Sequence, residues 1–320
     1  MRQTAILALV LGASCAAAEP DPPAQAPIET ARAAGLEEVA AFGSNPGHLR
    51  MFRHVPRGVG PGAPLVVALH GCTQTAVDAA RSGWNDVADA RGFVVVYPEQ
   101  RPENNLARCF AWSPALGDDA GESLSVAQMV DRTVRDLGVD ETRLFVTGFS
   151  AGGAAAARLL ASSPGRFAAG AVLAAIPVGC AGSLLDVGLC MQPGADLSPE
   201  SWAARARVLA PGYDGPYPRL SIWTGAWDTV VAPRNQGELL EQLTALHGID
   251  RDVDAEDTAW GRLHRVYEDG GGVPVVETWT IGVLDHAVPV SPWQGCGRSG
   301  PYRLDVGLCA AAEIADFFSI

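Results

Sequence analysis

The chain has 320 residues, 48% hydrophobic and 18% charged, which is enough apolar surface for a core and excludes disordered, collagen-like and low-complexity classes. A formal charge of -13, from 36 acidic and 23 basic residues, argues against nucleic acid and anionic membrane surfaces as partners, because both need a basic face. Lysine is absent and every basic residue is arginine, so Schiff-base chemistry, Ser-Lys dyads and the Walker phosphate loop are ruled out.

At the N-terminus, Arg2 precedes an apolar run from Ala5 to Ala13 and the small residues Ala16, Ala17 and Ala18. This pattern predicts a secretory signal peptide over 1–18 and export to the periplasm or the medium. A lipoprotein anchored through Cys15 is the alternative, disfavoured by Gly12 where a bulky apolar residue is usual. An acidic, Pro-rich lead-in, flexible over 19–36, follows, and then one catalytic domain over 37–320. No later segment reaches the roughly 18 uninterrupted apolar residues of a membrane span.

The elements then alternate. Residues 64–70 form a short β-branched apolar run expected to be a strand buried on both faces, followed by a helix over 75–91 that ends at Gly92, and a second buried strand over 93–97. A helix over 125–137, a strand over 143–147, an Ala-rich helix over 153–161 and a strand over 169–176 continue the series. Strands at 220–224 and 275–281 and helices at 235–246 and 310–318 complete it. Such alternation predicts an α/β protein with a mostly parallel sheet and helices on both faces. The string DVGLC occurs twice, at 186–190 and 305–309, without a longer repeat around it.

Setting Cys15 aside leaves Cys72, Cys109, Cys180, Cys190, Cys296 and Cys309, an even number suited to an oxidising compartment. Several connectivities are open. Sequence proximity favours Cys180 with Cys190 and Cys296 with Cys309, which leaves Cys72 with Cys109. None has zinc-ligand spacing, so no metal or cofactor is expected.

The sharpest chemical signal is Gly148-Phe149-Ser150-Ala151-Gly152, a G-x-S-x-G between a predicted strand and a predicted helix. A serine on that tight turn sits in strained backbone with its hydroxyl exposed, and it needs a base oriented by a carboxylate. In this architecture the partners follow in the order Ser, Asp or Glu, His. Three histidines come after Ser150. His247 ends a helix and reads as a partner for the helix dipole, and His264 lies in a strand-like run, 262–267, of alternating polar residues and reads as solvated. His286, in a loop after the last predicted strand, is the expected base. Asp228, after the strand at 220–224, is the expected acid. Asp285 is its rival, although neighbouring side chains on an extended loop point apart. The oxyanion donors are expected to be the amides of Ala151 and Cys72, the latter in the Leu69-His-Gly-Cys-Thr-Gln-Thr75 loop, where His70 reads as a structural hydrogen-bonder. Trp112, Phe149, Trp227 and Trp293 flank these loops and fit a substrate groove or core packing equally well.

The strings LHGCTQT (69–75), N-x-x-x-C-F-x-W (105–112), GESLSVAQMV (121–130), FVTGFSAGG (145–153) and TGAWDTVV (224–231), with HAVPV and GCGRSGPYRLDVGLC across 286–309, occur in order over most of 45–318. They resemble the extracellular polyhydroxybutyrate (PHB) depolymerases and their feruloyl and acetylxylan esterase relatives. The resemblance implies an α/β-hydrolase fold, the triad Ser150, Asp228 and His286, and the amides of Cys72 and Ala151 as oxyanion hole. With the signal-peptide pattern, the reading is a secreted serine esterase, expected to be a monomer, hydrolysing short-chain polyhydroxyalkanoate polyester or its oligomers through an acyl-enzyme. The alternative is a feruloyl or acetylxylan esterase acting on plant polysaccharide. Two departures stand out. Asp285 occupies the place where relatives have glycine before the histidine, and the sequence stops at Ile320 without the linker and polymer-binding domain that many depolymerases carry.

Overall fold

The computed structural model describes residues 28–259 and 261–320, so the expected signal peptide and residues 19–27 lie outside the described residues. The elements are β1 (Glu37–Glu38), β2 (Arg50–His54), β3 (Leu65–Leu69), β4 (Val94–Glu99), β5 (Leu144–Phe149), β6 (Ala169–Leu173), β7 (Arg219–Gly225), β8 (Ala255–Ala259), β9 (Arg262–Glu268), β10 (Pro274–Ile281), β11 (Val288–Val290) and β12 (Arg303–Asp305). The helices are α1 (Ile28–Ala33), α2 (Ala76–Ala79), α3 (Asn85–Arg91), α4 (Asp119–Leu137), α5 (Ala151–Ser162), α6 (Leu184–Met191), α7 (Pro199–Arg207), α8 (Asn235–His247) and α9 (Ala310–Phe318).

Among the described residues, ten strands form one sheet in the order β1-β2-β4-β3-β5-β6-β7-β10-β9-β8. Its centre, from β4 to β10, is parallel and its two margins are antiparallel. The central strands read as continuous apolar runs because both faces are covered. On β3, Leu65, Val67 and Leu69 join the layer that includes α4, α5 and α8, while Val66 and Ala68 join the layer that includes α2, α3 and α9. This is the α/β-hydrolase architecture. Phe318 of α9 stacks on Phe145 of β5 with ring centroids 4.5 Å apart. No described helix is long and apolar enough to cross a membrane.

Several expectations need correction. Within the stretch expected to be a flexible lead-in, 28–33 is helical and Ala31 and Leu36 are buried in the core, so the packed body begins before residue 37. The helix over 75–91 is broken by a π-turn at Ala80–Trp84, where Gly83 has φ +105°. A Cβ at Gly83 would lie 2.6 Å from the Sγ of Cys296, so the Cys296–Cys309 disulfide packs where a regular residue would stand. Helix α4 starts six residues before Ser125, because the Asp118 carboxylate accepts the amide of Gly121 and caps it. The strand at 50–54 and helices α6 and α7 were not anticipated. The first carries Arg50 and Arg53 along an antiparallel margin, and the other two fill the connection between β6 and β7.

Candidate active site

Strand β5 ends against its neighbours with Gly148 opposite Leu69 on one side and Val172 on the other. The chain turns at Ser150 with φ 56° and ψ -124°, a conformation that side-chain-bearing residues seldom adopt, and enters α5 at once. The Leu173 carbonyl accepts the Ser150 amide at 2.8 Å and holds the turn. Glycine is obligatory on either side. A Cβ at Gly148 would lie 2.1 Å from the Gly152 carbonyl oxygen, and one at Gly152 would lie 2.4 Å from that of His70.

The structure brings Ser150, His286 and Asp228 together although they are far apart in sequence. The Ser150 hydroxyl lies 3.0 Å from His286 Nε2, and His286 Nδ1 lies 2.8 Å from Asp228 Oδ2. With the Nδ1 proton donated to the carboxylate, Nε2 is free to accept the serine proton. The other oxygen of Asp228 accepts the amides of Val230 and Val231, so the carboxylate is buried yet fully hydrogen-bonded. Asp285 takes no part in this line. Its Oδ1 accepts the amides of His286 and Thr229 and the Thr229 hydroxyl, and the two amides hold its carboxyl below the usual range.

The amide of Ala151 is the first of α5 and has no intrahelical acceptor. Around Cys72 the neighbouring amides are committed, Gly71 to Gln74 Oε1 and Thr73 to the Ala107 carbonyl. His70 is fully buried and structural. Its Nδ1 donates to the Gly71 carbonyl at 2.7 Å, its Nε2 accepts the Gln100 amide at 3.0 Å, and burial lowers its pKa to about 4. The six cysteines pair as proximity favours, Cys72–Cys109, Cys180–Cys190 and Cys296–Cys309.

The remaining histidines lie elsewhere. His247 ends α8, but its Nε2 faces the Pro218 carbonyl at 3.3 Å, not the helix's last carbonyls, and burial lowers its pKa. His264 is not the solvated strand residue expected. It is half-buried, hydrogen-bonded to Glu277 at 2.9 Å and stacked on Trp279, because the neighbouring β10 supplies both partners.

The four aromatics divide. Trp112 and Phe149 are buried, with Phe149 packed against the His286 ring at 4.8 Å, while Trp227 and Trp293 are each 71% exposed. Tyr302 was missed. The parallel pairing of β11 with β12 sets Val288 opposite Arg303, which brings the Tyr302 ring edge-on to His286 at 6.2 Å and near Phe149. The only sequence signal was its place in the matched 295–309 segment.

Residues 54–262 match the family described as esterase PHB depolymerase. Poly(3-hydroxyalkanoate) depolymerase C of Paucimonas lemoignei is 46% identical over 291 residues, covering 89% of this chain and 70% of the relative. Acetylxylan esterase A of Aspergillus oryzae is 33% identical over 228 residues, 69% of this chain and 74% of its own. Among solved structures, an acetyl xylan esterase from Aspergillus awamori superposes with a TM-score of 0.74 at 24% identity, covering 89% of this chain and 98% of that one. An S-formylglutathione hydrolase from Agrobacterium tumefaciens superposes with a TM-score of 0.53 at 18% identity, over 79% and 88% of the two chains. These two likenesses bear on the fold, whereas the family match and the 46% identity reach further. The chain belongs to the esterase PHB depolymerase family and is a carboxylic ester hydrolase.

Proposed function

We propose that the protein hydrolyses short-chain polyhydroxyalkanoate polyester or its oligomers, with Ser150, His286 and Asp228 as its catalytic triad. The observation that carries the mechanism is the continuous hydrogen-bonded line from Ser150 Oγ through His286 to Asp228. Ser150 Oγ attacks the ester carbonyl carbon while His286 Nε2 takes its proton, and the carbonyl oxygen becomes an oxyanion facing the Cys72 and Ala151 amides. The tetrahedral adduct collapses, the C–O bond breaks, and the leaving alcohol carries off the proton from His286. Water, deprotonated by the same nitrogen, then attacks the acyl-enzyme, releasing the acid and restoring the serine. Asp228 keeps the imidazole in the productive tautomer and balances the imidazolium charge.

The choice of polyester over acetylated xylan rests on the higher identity and longer match to the depolymerase. The disulfides at Cys72, Cys180 and Cys296 support a secreted enzyme. The test compares kcat/KM on hydroxybutyrate oligomers, acetylated xylan and methyl ferulate, with the Ser150→Ala protein alongside. Oligomers should be the best substrate, and Ser150→Ala should lose roughly 10³-fold or more in rate. Preference for acetylated xylan or the ferulate ester would replace the substrate assignment, and a Ser150→Ala protein with near-normal turnover would sink the serine mechanism.

A further inference from the structure

Behind the loop that carries Cys72 lies a buried carboxylate that the mechanism above does not use. Glu122 sits in the first turns of α4, and a Cβ at Gly47 would come within 2.6 Å of its Cα, so the chain closes over it from outside. Two donors converge on its two oxygens. The side-chain amide of Gln100 reaches Oε1 at 2.6 Å and the backbone amide of Ala111 reaches Oε2 at 2.8 Å.

Each donor leads to Cys72 by its own route. The backbone amide of Gln100 holds His70 Nε2, and the other ring nitrogen of His70 holds the Gly71 carbonyl, one residue from Cys72. On the second route, Ala111 follows Cys109 by two residues, and Cys109 is disulfide-bonded to Cys72. Gln100 Nε2 also reaches the Cys109 carbonyl, at 3.4 Å, and the Asn105 side chain clasps both backbone groups of Cys109. Gln100 is wholly buried and Ala111 and Glu122 nearly so, so neither donor has water as a substitute partner.

We propose that Glu122 is a positioning residue for the Cys72 amide, fixing the oxyanion-binding loop through Gln100 and His70 on one side and through the Ala111–Cys109 segment on the other. The inference rests on the reading of the Cys72 amide as an oxyanion donor. Only a carboxylate can do this work at position 122. It offers an acceptor to each of two donors, whereas glutamine offers one acceptor and confronts the other donor with an NH₂ group. A loop displaced by about an ångström would leave substrate binding largely intact and weaken the interaction that develops in the transition state, a loss of about tenfold to a hundredfold.

The test is Glu122→Gln, assayed on p-nitrophenyl butyrate and by the rate at which a p-nitrophenyl alkylphosphonate inactivates the enzyme, since the phosphonyl oxygen occupies the oxyanion position. The expected result is a fall of about tenfold or more in kcat, a matching fall in inactivation rate, and KM within about twofold. Gln100→Met removes the same donor, together with the acceptor of the Arg101 amide and the Asn104 side chain, while keeping side-chain bulk and the backbone bond to His70. It should reproduce the loss, and the double variant should cost no more than the worse single one. If Glu122→Gln does not fold, Gln100→Met alone decides. Either folded variant with kcat within twofold of wild type, or with a raised KM and an unchanged inactivation rate, overturns the proposal. Wild-type protein inert to both reagents would overturn the reading of the site as a serine esterase instead.

Discussion

The carboxylate of Asp285 turns away from the adjacent ring of His286 and accepts the amide of Thr229 at 3.0 Å, tying the loop of Asp228 to the loop of His286. Asp228 and Asp285 therefore have separable roles. Asp228→Asn should lower kcat by about 10⁴, because an amide favours the wrong imidazole tautomer. Asp285→Asn keeps an oxygen for the Thr229 and His286 amides and should stay within about tenfold of wild type. Steady-state kinetics on p-nitrophenyl butyrate measure both, and a crippled Asp285→Asn beside a healthy Asp228→Asn would reverse the assignment.

Gly83 offers a test of packing at the break between α2 and α3. Its φ of +105° is costly for alanine, and the new methyl would meet Cys296 Sγ. Gly83→Ala should destabilise the protein by about 2 to 4 kcal/mol. Urea unfolding with the disulfides intact would show this, and an unchanged midpoint would mean that the π-turn relaxes at no cost.

The buried, neutral His70 makes stability depend on acidity. Its pKa is lowered by burial from 6.5 to about 4, so between those values the unfolded chain binds more protons than the folded one. Its contribution is fully present above pH 6.5 and is lost as pH falls toward 4, amounting to roughly 3 kcal/mol. Glutamine can make both of its hydrogen bonds without titrating. Chemical denaturation of wild type and His70→Gln at pH 7 and pH 4.5 should show the variant losing less on acidification, and parallel losses would refute the assignment.

Trp227 and Trp293 test the groove reading. Both are largely exposed, so burial against a polyester would be new burial, worth roughly 1 to 2 kcal/mol each. In a Ser150→Ala background, Trp227→Ala and Trp293→Ala should each weaken adsorption to poly(3-hydroxybutyrate) film about five- to thirtyfold, followed by depletion of protein from solution. Undiminished adsorption would remove that tryptophan from the contact face.

These residues also show which parts of the site were legible in the sequence. Ser150 could be read because its turn is local, written in glycines whose absent side chains make room for passing backbone. Asp228 and His286 followed from strand order, since a parallel sheet gathers the ends of its strands along one edge. Glu122 lies in the matched 121–130 string, but nothing local marks its role. The sequence pattern starts the helix at Ser125, whereas α4 begins earlier because of the cap at Asp118. Tyr302 depends on the pairing of two three-residue strands, β11 and β12, too short to leave a periodic signature. His264 was misread because alternation along β9 reports its own strand and says nothing of Trp279 and Glu277 on the next.

The stack of Phe318 on Phe145 places the last helix directly behind the strand that leads into Ser150. Arg91 reinforces it by bonding the Asp316 carboxylate and the Ile320 carbonyl. For anyone immobilising the enzyme on a resin, attachment through residues 318–320 would pull on the support of β5. The exposed turn at Gly270 and Gly271, joining β9 to β10 and making few contacts with the body, is the gentler anchorage.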